Sequence, residues 1–195
     1  MIADFIDFCT DLFPCINPYT KEKAKAAMEQ FENISGHLLY EAYGSLDLYQ
    51  GDIFSEIPFI FVDQDGNFQT IFRKAQLLSN TCDASRDEHL IFAAIHPLDE
   101  LSNPSLCYAI KKNEKYSAFF IPDVALSKEF IDMEMITTYS RETFMDMCRA
   151  GKVHRIASLT LVGFYMLICK LTVFLMRPED REVNSSRLVG NNDLN

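Results

Sequence analysis

The chain has 195 residues, 48% of them hydrophobic and 24% charged, which is the composition of a folded domain and excludes disorder over most of its length. It carries 28 acidic against 18 basic residues, a net charge of −10, and no segment is strongly basic. Tight sequence-independent binding to nucleic acid is therefore disfavoured, because that affinity comes from Lys and Arg neutralising phosphates.

The chain begins with Ile2, Phe5, Ile6, Cys9, Leu12 and Phe13 at helical spacing, and Pro14 ends the run. Asp4, Asp7 and Asp11 stand where a secretory signal would need basic residues, so a cytoplasmic protein is expected. A second helix starts after Thr20 as N-cap and places Ala24, Ala27, Met28 and Phe31 on one face. Past Gly36, His37 to Tyr43 reads as a further helical turn or two.

At Gly51 the pattern changes to short extended runs. Residues 51–63 are rich in Phe and Ile. Gln64-Asp65-Gly66-Asn67 then holds an Asp-Gly hairpin signal, and Phe68 to Phe72 resumes the extended pattern. Ala75 to Ser79 and Leu90 to Ile95 read as two more strands. Asn103-Pro104 is an N-cap followed by Pro at the first helical position. Ser117 to Ile121 and Phe130 to Thr138 are a fifth and a sixth strand, and Ser140 caps a helix through Met147. Many short strands with turns between them point to a barrel or a strongly bent sheet.

The stretch 156–176 is the longest apolar segment and approaches the ~20 residues of a membrane span. Lys170 within it favours a helix buried against the barrel over a span through the bilayer. The tail 178–195 has the composition of a disordered end. The organisation read from these elements is α+β. A helical segment at 1–48 precedes a β-barrel core at 49–138, and helices at 139–177 pack on the barrel.

Chemistry-bearing residues concentrate between Arg73 and Asp83. Arg73 and Lys74 open a buried strand, and Asn80, Thr81, Cys82 and Asp83 close it. If strand ends gather at a barrel rim, these four meet His96 from the end of the next strand, with Asp52 orienting the rim. Cys82 beside His96 has the elements of a nucleophile–base pair. The competing reading is a turn whose side chains bond their own backbone. Cys82, Asp83, His89 and His96 have no regular metal-ligand spacing, and the six cysteines form no Cys-x-x-Cys pair. The expectation is reduced thiols, no metal and no cofactor, since phosphate- and dinucleotide-binding glycine motifs are absent too. Met133, Met135, Met145 and Met147 read as core or as a pliable contact surface.

The Gly-Asp-Ile-Phe at 51–54, the Leu-Leu-Ser-Asn-Thr-Cys-Asp at 77–83 and the His-Pro-Leu at 96–98 resemble a group of uncharacterised bacterial proteins. Those proteins carry a Gly-Asp-Ile … Leu-Ser-Gln-Thr-Cys-Asp signature, and the resemblance extends over about 51–179. More distantly, Gly51-Asp52 at a first strand, Arg73 and Leu78-Ser79 resemble the PemK and MazF toxins, which implies a small β-barrel endoribonuclease with Arg73 catalytic. If folding gathers the 80–83 rim around Arg73, His96 is the residue available there as acid or base. Lys74 stands where that family has Pro, and Ile95-His96 where it has a hydroxyl residue. The expected function is a non-enzymatic protein-binding or regulatory module of a bacterial cytoplasmic system, of the immunity, antitoxin or defence-accessory type. Asp52, Lys74, Asn80, Thr81, Cys82 and Asp83 are its candidate binding residues. Its acidic surface suits a basic protein partner. The alternatives are the ribonuclease and a protein anchored through 156–176.

Overall fold

The computed structural model describes residues 40–41, 47–120, 126 and 128–176. The expectations for the helices before residue 40 and for the tail fall outside these residues.

Among the described residues seven strands form one antiparallel sheet in the order β1-β7-β2-β3-β4-β6-β5. They are β1 (Tyr40–Glu41), β2 (Ile53–Val62), β3 (Phe68–Leu77), β4 (His89–Pro97), β5 (Ala118–Phe119), β6 (Glu129–Ser140) and β7 (Arg155–Leu159). The described helices are α1 (Thr81–Ala84), α2 (Pro104–Lys111), α3 (Arg141–Arg149) and α4 (Leu161–Met176).

The mixed α+β character matches the sequence reading, but the sheet does not close into a barrel. Its edges, β1 and β5, are two residues long and each pairs with a single neighbour. Short edge strands limit the unpaired backbone a sheet offers to other chains. Short strands and frequent turns describe a bent open sheet as well as a barrel, and the pattern alone does not separate them. Of the helical turn expected around His37 to Tyr43, only Tyr40 and Glu41 are described, and these two form β1 instead.

The capping chemistry appears as read. Asn103 Oδ1 accepts from Ser105 N and Leu106 N with Pro104 in the first turn, and Ser140 Oγ accepts from Thr143 N. The Asp-Gly turn joins β2 to β3, with Gly66 at φ +83° and Asp63 Oδ1 accepting from Asp65 N and Asn67 N. The runs 68–72 and 75–79, read as two strands, are one ten-residue strand with Arg73 and Lys74 in its middle.

The apolar segment 156–176 is divided rather than continuous. Residues 155–159 enter the sheet as β7, and Thr160 turns the chain into α4 by accepting from Gly163 N at its Oγ1 and from Phe164 N at its carbonyl. That leaves a 16-residue helix about 24 Å long. Among the described residues no helix is long and apolar enough to cross a membrane. Lys170 is 1% exposed. Its ammonium donates to the carbonyls of Asn113 (3.1 Å) and Lys115 (2.7 Å), which satisfies a buried charge and fastens the loop after α2 to α4.

The helices cover both faces of the sheet. Phe144 of α3 packs edge-on to Phe54 at 4.9 Å and tilted against Phe92 at 4.9 Å, over Ile57, Phe59, Leu77 and Val153. Alternate strand residues Ile53, Ala93 and Ile95 face the other way, onto Tyr165, Met166 and Leu167 of α4. Both cores are buried by this helix–sheet–helix layering. The methionine run is divided as well. A register jump on β6, where Ala93 pairs Ile136 and Ala94 pairs Asp132, sends Met133 to the α4 core and Met135 to the α3 core.

Candidate functional site

The two signature segments, far apart in sequence, are joined at the root of the sheet. Gly51 N donates to Leu77 O (2.7 Å) and Leu77 N to Asp52 O (2.8 Å). Gln50 N donates to Thr81 Oγ1 (3.0 Å), and Gln50 Nε2 to Leu78 O (2.7 Å). Gly51 has φ +95°, and a Cβ there would lie 2.1 Å from Leu159 Cδ1, so the close approach of this turn to β7 requires glycine.

Asp52 is fully buried. Its Oδ2 accepts from Tyr49 N (2.9 Å) and lies 3.1 Å from Arg155 Nε. Burial pushes its pKa up, and the Tyr49 amide, the Ser158 hydroxyl and the Arg155 guanidinium pull it partly back. The Ser158 hydroxyl faces this carboxylate without reaching full hydrogen-bond geometry. Beside it Gln76, fully buried, donates from Nε2 to Tyr40 Oη (3.0 Å) and Gly51 O (3.2 Å). Asp52 thus sits in a polar cluster inside the sheet and not at an open rim.

Asn80, Thr81, Cys82 and Asp83 form the start of α1 and its cap. Asn80 Oδ1 accepts from Cys82 N (2.9 Å), and Asp83 pairs with Arg86 at 2.9 Å. Cys82 is exposed. Three cavities open around this segment. The first, ≈ 300 Å³, is lined by Thr81, Gln50 and Ser158. The second, ≈ 480 Å³, has Thr81, Cys82 and Arg141 in its wall. The third, ≈ 620 Å³, has Asn80, Asp83 and His89.

The meeting of His96 with Cys82 and Asp83 does not occur, for a topological reason. β3 and β4 are antiparallel, with Leu77 opposite Phe92 and Ala75 opposite Ala94. The carboxyl end of β3 therefore meets the amino end of β4, and His89 lines the 80–83 cavity. His96 instead joins Arg73. Arg73 Nη2 pairs with Glu100 at 3.0 Å, and His96 Nδ1 lies 3.8 Å from the same carboxylate, with Asp132 3.9 Å from Nε2. Lys74 pairs with Glu129 at 2.8 Å. Since Ala75 and Leu77 face the α3 core, strand alternation puts Arg73 on that face and Lys74 on the opposite one. One anion cannot be held by both.

Gln50, Gln76, Arg155 and Ser158 were not among the residues singled out in the sequence. Gln76 carried a usable signal, a long polar side chain inside the run Ala75 to Leu78. Arg155 and Ser158 were masked by the apparent continuity of the apolar segment. Among the described residues no group of three or more His, Cys, Asp or Glu is placed to hold a metal ion. The chain matches no model of a known protein family and no curated protein.

Proposed function

We propose that the chain is a non-enzymatic protein-binding module of a bacterial cytoplasmic system, docking through the outer half of the β2–β3 hairpin. The observation that carries this is an uncharged apolar face in solvent. Pro58, Ile60 and Val62 stand opposite Phe72, Thr70 and Phe68. Ile60 is 68% exposed, Val62 57%, Phe68 81% and Phe72 61%. Phe68 and Phe72 alone then expose roughly 200–300 Å² of aromatic surface, comparable to the largest patches of ordinary monomers.

Among the described residues this outer ribbon pairs only with itself. β2 meets β7 at Ile53 and Phe54, and β3 meets β4 from Ala75 to Leu77. Residues 57–62 and 66–72 hold no charged side chain in a chain of net −10, while Asp63 and Asp65 mark the tip. A partner with an apolar groove bordered by basic side chains fits this surface, as in an immunity or antitoxin-type pairing. A PemK-type ribonuclease site is disfavoured, because Arg73 and Lys74 each already face a carboxylate and lie on opposite faces of the strand. Phosphoryl chemistry needs cations converging on one charge.

The test compares the full chain with a Phe68→Glu/Phe72→Glu double variant as affinity baits. A protein retained by the first and lost by the second is then purified and titrated calorimetrically against both. Direct binding weakened at least about tenfold in the variant is expected. A chain that instead self-associates through this face, or cleaves single-stranded RNA in an Arg73-dependent way, overturns the reading.

A further inference from the structure

The ≈ 300 Å³ cavity between β1, β7, α1 and α4 is lined by Glu41, Tyr49, Gln50, Thr81, Ser158 and the apolar wall of Leu159, Leu161 and Phe164. Its polar groups are incompletely used. Gln50 is 8% exposed, and because its Nε2 is committed to Leu78 O, its Oε1 is fixed as an acceptor and has no hydrogen-bond partner. Ser158 is 3% exposed, and its hydroxyl is turned toward the Asp52 carboxylate, which leaves its oxygen lone pairs free to accept. Buried polar atoms are nearly always paired, by protein, by water or by a ligand. An unpaired buried acceptor on a residue that lines a cavity is therefore informative.

The chemistry of the wall is one-sided. Among its described lining residues there is no Lys, Arg or His, and Glu41 stands exposed at the edge. α4 begins at this wall, where free amide groups would favour an anion. Two of those amides are already occupied, Gly163 N by Thr160 Oγ1 and Phe164 N by Thr160 O. What remains is an acceptor, a hydroxyl and a carboxylate facing an aromatic and two leucines. The volume stands at the lower bound of small-ligand pockets.

We propose that this cavity is a binding site for a small primary amine with an apolar body. The ammonium donates to Gln50 Oε1 and Ser158 Oγ and approaches Glu41. The body packs on Leu159, Leu161 and Phe164. The site is separate from the β2–β3 face and stands or falls independently of it. The amine arrives either as a free molecule or as a lysine side chain of another protein.

The test is an NMR titration of the full chain, read at the Gln50 side-chain amide and the Thr81 backbone amide. Its probes are benzylamine, N-acetyl-lysine methylamide and phenylacetate, which keeps the ring and reverses the charge. Saturable shifts at both amides are expected with benzylamine, with phenylacetate at least about tenfold weaker. The lysine derivative binding more tightly than benzylamine assigns the site to a protein side chain, and the reverse order assigns it to a free amine. Gln50→Met weakens amine binding about tenfold through the lost acceptor. Glu41→Gln, on an exposed side chain that leaves folding intact, weakens it about threefold. No saturable shift with either amine, phenylacetate binding as tightly as benzylamine, or unchanged affinity in Glu41→Gln together with any folded Gln50→Met protein overturns the proposal.

Discussion

At the root of the β2–β3 hairpin, Ile53, Phe54, Ala75, Gln76 and Leu77 are at most 2% exposed. A few residues further out, Ile60, Val62, Phe68 and Phe72 stand in solvent, each more than half exposed. Burial and polarity are inverted along one hairpin, for the root encloses Asp52 and Gln76 while the outer part displays aromatic and branched side chains. An exposed apolar residue taken singly means little, whereas buried polar groups and contiguous apolar patches carry information. Here the two lie in one supersecondary unit. The root is held by layers on both faces and borders a small cavity, and the outer ribbon stands in solvent.

The sharpest way to break this comparison is to make the same truncation in both halves. Phe54 contacts Phe92 and Phe144 and is 2% exposed, so Phe54→Ala should cost about 3–5 kcal/mol in urea unfolding. A loss below about 1 kcal/mol would show that the two-faced core is not the stabilising part of the sheet.

A second test addresses the polar root. Arg155→Met leaves the Asp52 carboxylate buried without its guanidinium and should cost about 3 kcal/mol at neutral pH. Its pH dependence is specific. The folded pKa of Asp52 lies above the ordinary 3.8, so the folded chain binds this proton more readily than the unfolded chain does. The Asp52 contribution therefore declines as pH rises from 3.8 through the folded value. Removing Arg155 takes away a downward influence and raises that value further. The difference between variant and parent should thus be greatest near neutrality and shrink on acidification toward the folded pKa. A difference constant with pH would show that Arg155 acts through packing on Phe54, whose ring centroid lies 5.7 Å from the guanidinium, and not through the carboxylate.

Local signals proved the most legible. The Asp-Gly turn, the Asn103 and Ser140 caps and most strands could be read directly, because each depends on a few neighbouring residues. Long-range pairing could not. That His89 and not His96 approaches Asn80 and Asp83 follows from antiparallel pairing of β3 with β4, which the residues of either strand alone do not declare. The division of 156–176 was hidden because β7, buried at Ala157 and Ser158, is itself largely apolar, and an apolar strand running into an apolar helix has little change of composition to mark the break. Of the candidate site, Asp52 and Thr81 were visible, but Gln50, Gln76, Arg155 and Ser158 become a cluster only through the fold.

The joint between root and ribbon gives a smaller effect. Ser55 and Glu56 together oppose Lys74, a bulge that shifts the alternation by one residue, so that Ile57 and Phe59 continue the buried face of Phe54. Glu56 adopts φ +56° and is exposed. Ser55 fixes this geometry by donating from its backbone amide to His154 O at 2.9 Å. Glu56→Gly removes the left-handed strain and should stabilise by about 1 kcal/mol, the gain being limited by the greater flexibility of glycine when unfolded. Destabilisation would instead mark the bulge as held by a contact of the Glu56 side chain.

The smallest expected effect is the other half of the paired truncation. Phe68→Ala removes an aromatic ring that is 81% exposed, opposite Val62 and next to the turn. Little apolar area returns to water when such a side chain is shortened, so the transfer and cavity terms that dominate at Phe54 are both nearly absent. The isolated chain should change by less than about 0.5 kcal/mol in urea unfolding. The Asp63 contacts at the tip persist, since its carboxylate is held by Asn67, Asp65 and Gln69 and not by the ring. If Phe68→Ala costs about 2 kcal/mol or more, the ring is already covered in solution, by this chain or by a second copy of it. Repeating the unfolding at a hundredfold lower protein concentration separates these, because only the loss of an intermolecular contact makes parental stability depend on concentration, by about 2.7 kcal/mol across that range for a dimer coupled to folding. A near-zero value leaves the face free for a partner, and it makes the hairpin a unit whose root and outer half are selected for different ends.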